Sequence, residues 1–141
     1  MTRKSQAILS LFIGLLVMSG CRDRNQGVPL VIVDREINIT LPSYSSLAVI
    51  GGHAYVSGGS QGLFVYRKTQ DDFVVYDRHA TYDINQNCAV VIDSSSTVEL
   101  VDHCSGSRYS VFDGLVTNGP ATLPLKQYNT SFNGTILHIY N

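Results

Sequence analysis

Two short stretches of this chain contain side chains that commonly bind metal ions. Asp77, His79 and Asp83 lie close together in the first, and Asp102 and His103 are adjacent in the second. Carboxylate and imidazole ligands together suit Zn, Mn or non-haem Fe(II). Asp and His are also common in exposed turns, where they are simply solvated. The sequence therefore offers a mononuclear metal site of Asp77, His79, Asp102 and His103 as one hypothesis, with solvated loop residues as the alternative.

The second stretch also contains two serines with a histidine nearby. Ser105 and Ser107 follow His103 closely, and a serine activated by a histidine base is a common nucleophile. Residues this close in sequence rarely have the required geometry, and the sequence shows neither an oriented third partner nor a Gly-x-Ser-x-Gly elbow. We therefore predict no catalytic residues and favour a role other than catalysis.

The first twenty residues have the features of an export signal. Arg3 and Lys4 form a basic start, and the apolar run from Ala7 to Met18 is too short to span a bilayer comfortably. The small residues before Cys21 resemble a bacterial lipobox, in which the cysteine is lipidated after cleavage. We predict a lipoprotein signal peptide over residues 1–20 and a lipid-anchored protein of the bacterial cell envelope, facing the periplasm or the cell surface. An ordinary secretory signal and an uncleaved anchor are the alternatives.

The charge of the chain argues against a nucleic-acid partner. The formal net charge is −1, and it becomes −3 without residues 1–20, which include two basic residues and no acidic one. No basic run remains to bind phosphates. Membrane contact is therefore predicted through the lipid on Cys21. Residues 21–32 are polar at first, with Gly and Pro, and predict a tether to a single domain over residues 33–141.

Composition and spacing predict an all-β domain. Val, Ile and Tyr are frequent, and short apolar or alternating runs are separated by turn residues. Gly51-Gly52 and Gly58-Gly59 predict tight turns, and no helix follows them to form a phosphate site. The nine predicted strands cover residues 36–41, 47–50, 53–57, 62–67, 73–77, 89–92, 98–101, 108–112 and 135–140. This pattern favours an antiparallel sandwich or a small barrel.

The stretch 102–125 contains a motif with a known counterpart. Residues 102–107 read DHCSGS, residues 119–121 read GPA, and a second proline follows at Pro124. This resembles the second cluster-binding box, C-x-C-H-G-S, and the proline loop of Rieske iron–sulfur proteins. From about Val33 to Tyr140 the chain is similar to Rieske-fold lipoproteins of Bacteroidetes-type bacteria. The resemblance implies an antiparallel Rieske-like β-sandwich with two loop boxes and a proline loop.

The ligands of a Rieske cluster are missing from these boxes. A Rieske [2Fe-2S] cluster needs two Cys and two His, as C-x-H in one loop and C-x-x-H in the other. In the second box, Asp102 stands at the Cys position and Ser105 at the His position. Neither register of the first box gives a Cys-His pair; the two registers place Ala80 with Tyr82, or His79 with Thr81. We therefore predict no cofactor, and the [2Fe-2S] cluster is an alternative that the family resemblance alone implies.

The two remaining cysteines, Cys88 and Cys104, are candidates for a disulfide and not for cluster ligands. With Cys21 lipidated, Cys88 and Cys104 are left as a candidate disulfide in an oxidising compartment. Respiratory-type Rieske proteins carry two further cysteines that tie the two cluster loops together. Cys104 occupies the central position of the second box, and Cys88 follows the first box three residues later than usual. The resemblance thus implies a Cys88–Cys104 disulfide, with two reduced thiols as the alternative.

Three functions are consistent with these observations. We favour an exported, lipid-anchored Rieske-fold protein that has lost its cluster ligands and acts as a structural or interaction module for an unidentified envelope protein. The second is a [2Fe-2S] electron-transfer protein, as the family implies. The third is a mononuclear metal site built from the Asp and His residues named above.

Overall fold

The computed structural model describes residues 27–141, so the predicted signal peptide and Cys21 lie outside the described residues. The strands are β1 (Asp34–Asn38), β2 (His53–Val56), β3 (Leu63–Arg67), β4 (Phe73–Asp77), β5 (Val91–Asp93), β6 (Ser96–Val101), β7 (Arg108–Ser110), β8 (Val116–Asn118), β9 (Gln127–Phe132) and β10 (Ile136–Tyr140). Two short 3-10 helices cover Pro42–Ala48 and Ile84–Gln86. No helix in the described range is long and apolar enough to cross a membrane.

The strands form two antiparallel sheets. The larger sheet has the order β1-β10-β9-β4-β3-β2, and the smaller one has the order β5-β6-β7-β8. In the larger sheet, Leu63 of β3 pairs with Asp77 of β4, and Val75 of β4 pairs with Tyr128 of β9. One buried cluster contains side chains from both sheets, among them Tyr76 of β4 and Tyr109 of β7. The predicted antiparallel β-sandwich is therefore confirmed.

Strands β3 and β4 are buried on both faces and form the centre of the molecule. Leu63 and Val65 point into the core on one side of the larger sheet, whereas Phe64 and Tyr66 point toward the smaller sheet. Successive side chains of a strand lie on opposite faces, so a strand covered on both sides needs a continuous apolar run. The sequences LFVYR and FVVYD provide such runs. Strand β4, which lies between β3 and β9, ends at Asp77.

The predicted strand at 47–50 is wrong, because this segment belongs to the first 3-10 helix and the turn after it. Leu47 is fully buried, whereas Ile50 is 60% exposed. The carbonyl oxygens of Leu47 and Ala48 each accept a hydrogen bond of 2.9 Å from Nη1 of Arg67. The guanidinium of Arg67 in β3 thus donates the hydrogen bonds that these carbonyls would accept from a neighbouring strand if they were in a sheet.

The sequence did not predict β8 and β9. Strand β8 has only three residues and immediately precedes Gly119-Pro120. Strand β9 reads QYNTSF, in which Tyr128 is the one fully buried residue, so its apolar periodicity is weak. It forms through hydrogen bonds to β10 and β4 on its two sides, which are long-range contacts that a local pattern does not contain.

Candidate functional site

Three loops meet at the end of the sandwich where β4 and β6 finish. The first loop (78–90) joins β4 of the larger sheet to β5 of the smaller sheet. The second loop (102–107) joins β6 to β7, and the proline loop (119–126) joins β8 to β9. These loops correspond to the two boxes and the proline loop expected from the sequence.

Hydrogen bonds connect the proline loop to both other loops. Thr81 Oγ1 in the first loop donates to the carbonyl oxygen of Leu123 at 2.6 Å. The backbone N–H of Ala121 donates to Ser107 Oγ in the second loop at 3.0 Å. The three loops therefore form one hydrogen-bonded layer.

A disulfide between Cys88 and Cys104 ties the first loop to the second. Their Cα atoms are 6.3 Å apart and the two residues are separated by 16 positions in sequence. Cys88 is half-buried and Cys104 is exposed, so the bond lies at the surface of the loop layer. The disulfide that the resemblance implies is present in the structure.

In the second loop, Asp102 and Ser105 bind each other. Ser105 Oγ donates to Asp102 Oδ2 at 2.6 Å, and the backbone N–H of Cys104 donates to Asp102 Oδ1 at 2.9 Å. Because the hydroxyl hydrogen of Ser105 is used in this way, Ser107 Oγ must donate to Ser105 Oγ, 2.7 Å away. With the N–H of Ala121 donating to Ser107, a directed chain of hydrogen bonds runs from the proline loop to the fully buried Asp102 carboxylate.

Asp77, at the end of β4, is fully buried and accepts four hydrogen bonds. The backbone N–H of Ser60 and the hydroxyl of Tyr128 donate to Oδ2 at 2.6 and 3.0 Å. The backbone N–H groups of Gln61 and His79 donate to Oδ1 at 3.2 and 2.9 Å. Four donors occupy the lone pairs of the carboxylate, which explains how a charged group is accommodated in the core.

Two neighbours of Asp77 support this interpretation. Burial, and then the Asp77 carboxylate itself, raise the pKa of Tyr128 well above its ordinary value, so the phenol keeps the proton that it donates. Gly59 has a φ of +63°, and a Cβ at this position would lie 2.5 Å from Asp77 Oδ2. The Gly58-Gly59 turn therefore allows the backbone to approach the carboxylate closely.

His79 is also fully buried, and both of its ring nitrogens are used. Nε2 lies 2.8 Å from the carbonyl oxygen of Ile84, which can only accept, so Nε2 carries the hydrogen. Nδ1 lies 2.8 Å from Ser60 Oγ, which donates to it when the ring is neutral. His79 holds the first loop against the Gly58-Gly59 turn.

The other positions of the first box, Ala80, Thr81 and Tyr82, differ in burial and in their hydrogen-bond partners. Ala80 is buried against the core between the sheets, and its N–H donates to the carbonyl oxygen of Cys88 at 2.8 Å. Tyr82 is 44% exposed. Thr81, the second position of the alternative register, bonds the hydroxyl of Tyr109 and the carbonyl of Leu123.

These side chains do not fit a [2Fe-2S] cluster. Such a cluster requires two thiolates and two imidazoles that face it. Asp102 and Ser105 supply neither a thiolate nor an imidazole, and the two ring nitrogens of His79 are taken by Ser60 and Ile84. The cysteines of these loops are joined as a disulfide instead of being free thiolates.

The structure places the residues of the Asp/His metal hypothesis in different surroundings. Asp77 and His79 are bonded within the core, whereas His103 is exposed in the second loop. Within residues 27–141, the group of three candidate ligands whose atoms all come within 4.8 Å of one another consists of Cys88, Asp102 and Cys104. Of the predicted metal residues, the structure therefore places only Asp102 in this group.

Sequence reasoning missed Ser60 and Tyr128, which hold Asp77 and His79. These partners are 17 to 51 positions away in sequence. The one local signal was the Gly58-Gly59 pair, which marks a turn but does not identify the carboxylate beneath it.

Comparisons with known proteins give limited similarity. No protein-family model matches the sequence, and no curated protein matches it. Among solved structures, the ferredoxin of carbazole 1,9a-dioxygenase from Nocardioides aromaticivorans IC177 is 16% identical, with a TM-score of 0.49, covering 81% of this chain and 98% of that one. The Sphingomonas yanoikuyae B1 ferredoxin is 17% identical, also with a TM-score of 0.49, covering 68% and 93%. At these values the matches assign neither a family nor a function to this chain.

Proposed function

We propose that this chain is an exported, lipid-anchored protein with a Rieske-like fold that has lost the [2Fe-2S] ligands and acts as a non-catalytic interaction module of the bacterial envelope. The observation that supports this most directly is the 2.6 Å hydrogen bond between Asp102 and Ser105. These two residues stand where the resemblance to Rieske proteins places a Cys and a His ligand. A hydrogen bond between side chains takes the structural role that a metal ion would have in joining them.

The loop layer has exposed apolar side chains and an apolar pocket, which are features of an interaction surface. Tyr82 is 44% exposed and Leu123 is 46% exposed, and both lie beside Thr81, which joins their loops. Next to them is an apolar pocket of about 320 Å³, lined in part by Ile84 and Pro124. Exposed aromatic and aliphatic side chains beside an apolar pocket are typical of protein-binding sites. The disulfide holds these loops in one shape, which lowers the entropy lost on binding.

The loss of cluster ligands is tested by reconstitution. The purified chain is incubated anaerobically with ferrous iron and sulfide, and a [2Fe-2S] ferredoxin is treated identically as a control. We expect the control to show a reduced-cluster EPR signal and this chain to show no rhombic Rieske-type signal, because the four required ligands are not present. A rhombic signal with two iron and two sulfide ions per chain would favour electron transfer and contradict the proposal.

The interaction role is tested by site-specific cross-linking in the native envelope. A photo-reactive amino acid replaces Tyr82 in the loop layer or, as a matched control, Ile50, which is exposed at the opposite end of β3. We expect the full-length chain in the membrane fraction, and a discrete cross-linked protein from position 82 but not from position 50. Equal products at both positions, or none at position 82, would argue against a binding surface on the loops.

A further inference from the structure

We propose that reduction of the Cys88–Cys104 disulfide converts the junction of the first and second loops into a site for a thiophilic divalent cation such as Zn²⁺. The ligands are the two cysteine sulfurs and a carboxylate oxygen of Asp102. This inference does not depend on the lipid anchor or on a protein partner.

The three residues are already close together. One ligand atom from each lies within 4.8 Å of the others. Tetrahedral Zn²⁺, with Zn–S bonds of about 2.3 Å and Zn–O bonds of about 2.0–2.2 Å, keeps its ligand atoms roughly 3.6–3.8 Å apart. The Cα atoms of Cys88 and Cys104 are 6.3 Å apart, so rotation of the side chains suffices to separate the sulfurs after reduction.

The environment of Asp102 favours a cation. Its carboxylate is fully buried, yet none of the ion pairs in residues 27–141 includes it. Asp102 accepts one side-chain hydrogen bond and one backbone hydrogen bond on its two oxygens, whereas Asp77 accepts four in total. A carboxylate has about four lone-pair positions, so Asp102 retains the capacity to bind a metal ion.

Two of the ligands are held in place before any metal binds. The N–H of Cys104 donates to Asp102 Oδ1 at 2.9 Å, which closes a tight turn around the carboxylate. Ser105 fixes the other oxygen at 2.6 Å. The site would therefore have three protein ligands and an open fourth position for water, the arrangement usual for zinc sites that are not closed.

Cys104 is an exposed residue, which makes reduction of the disulfide feasible. A thiolate of a dithiol reductant attacks Cys104 Sγ, forms a mixed disulfide and releases Cys88 as a thiolate. The second thiol of the reductant then releases Cys104 and leaves the reductant oxidised to its disulfide, a transfer of two electrons. Metal binding requires both sulfurs as thiolates, so any proton on them passes to solvent.

The test is a metal titration of the full-length chain in detergent, oxidised or reduced with a phosphine. With Zn²⁺ we expect one equivalent bound by the reduced chain and none by the oxidised chain. With Co²⁺ we expect a thiolate-to-metal absorption band only after reduction. Mg²⁺ should not bind, because thiolates are poor ligands for hard cations.

Variants locate the site. Asp102→Asn should weaken Zn²⁺ binding by at least about tenfold, since even the loss of an outer-shell partner commonly costs about 10–100-fold. Asp71→Asn, at an exposed position, and Cys21→Ser should bind as the unaltered chain does. Equal binding by the oxidised and reduced chains would overturn the proposal whether or not any variant folds, as would undiminished binding by a folded Asp102→Asn chain.

Discussion

Replacing Asp77 by Ala should lower the free energy of unfolding by about 3–5 kcal/mol, because four buried donors lose their acceptor at once. Three of these donors are backbone N–H groups that hold the Gly58-Gly59 turn and the start of the first loop. Urea unfolding followed by tyrosine fluorescence measures the change, since the chain has eight Tyr and no Trp.

Two matched variants make this expectation specific. Asp77→Asn keeps the size of the side chain and one acceptor oxygen but turns an amide N–H₂ group toward donors, so a loss of about 2 kcal/mol is expected. Asp71→Ala removes an exposed carboxylate six positions earlier and should change the free energy by less than about 0.5 kcal/mol. Similar small effects for Asp77→Ala and Asp71→Ala would show that the hydrogen-bond network contributes little to stability.

Asp77 also shows where sequence reasoning about the site stops. The sequence marks Asp77, at the end of a predicted strand, and His79, just after it, as residue types that can bind a metal ion. It leaves a metal site and solvated loop residues as two alternatives, since Asp and His side chains bind metals in many proteins and are also common in exposed turns. Their true partners come from the turn before β3 and from β9, which fold against β4 only in the complete sheet. The sequence thus shows which polar residues are present, but their hydrogen-bond partners depend on which distant segments the fold brings next to them.

The fold could be predicted from the sequence more completely than the site. Strands β3 and β4 were recognisable because a strand covered on both faces requires continuous apolar runs. The error at residues 47–50 arose because an apolar run does not show whether its carbonyls will bond a strand or a side chain such as Arg67. The number of cysteines left Cys88 and Cys104 as a candidate pair, and the resemblance to Rieske proteins placed them in two neighbouring loops, which spacing alone does not do.

The disulfide should contribute about 3 kcal/mol to the free energy of unfolding. Cross-linking residues 16 positions apart restricts the unfolded chain by roughly this amount in the chain-entropy treatment. The chain with both Cys88→Ala and Cys104→Ala should therefore unfold at a lower urea concentration than the unaltered chain, whereas Cys21→Ser should not shift the transition. Coincident transitions for all three chains would contradict this expectation.

Amide hydrogen exchange should show where the effect is concentrated. The N–H of Ala80 is bonded to the carbonyl of Cys88, and the N–H of Asp102 is bonded to the carbonyl of Ser107, so both report on the tied loops. In the double variant they should exchange by local opening, well before the amides of β3 and β4, which exchange only on global unfolding. Loop amides that exchange only together with those of β3 and β4 would mean that the disulfide acts on the whole domain and not on the loop layer.

Reduction of the unaltered chain connects this stability to the proposed metal site. Without metal, the reduced chain should unfold much as the double alanine variant does, because the same restriction of the unfolded chain is lost. Added Zn²⁺ should restore stability to the reduced chain, by about 2.7 kcal/mol at a free concentration one hundred times the dissociation constant. It should not do so for the double variant, which lacks both sulfurs. If Zn²⁺ stabilised the two chains equally, the metal would be bound elsewhere, and the disulfide would remain a structural link alone.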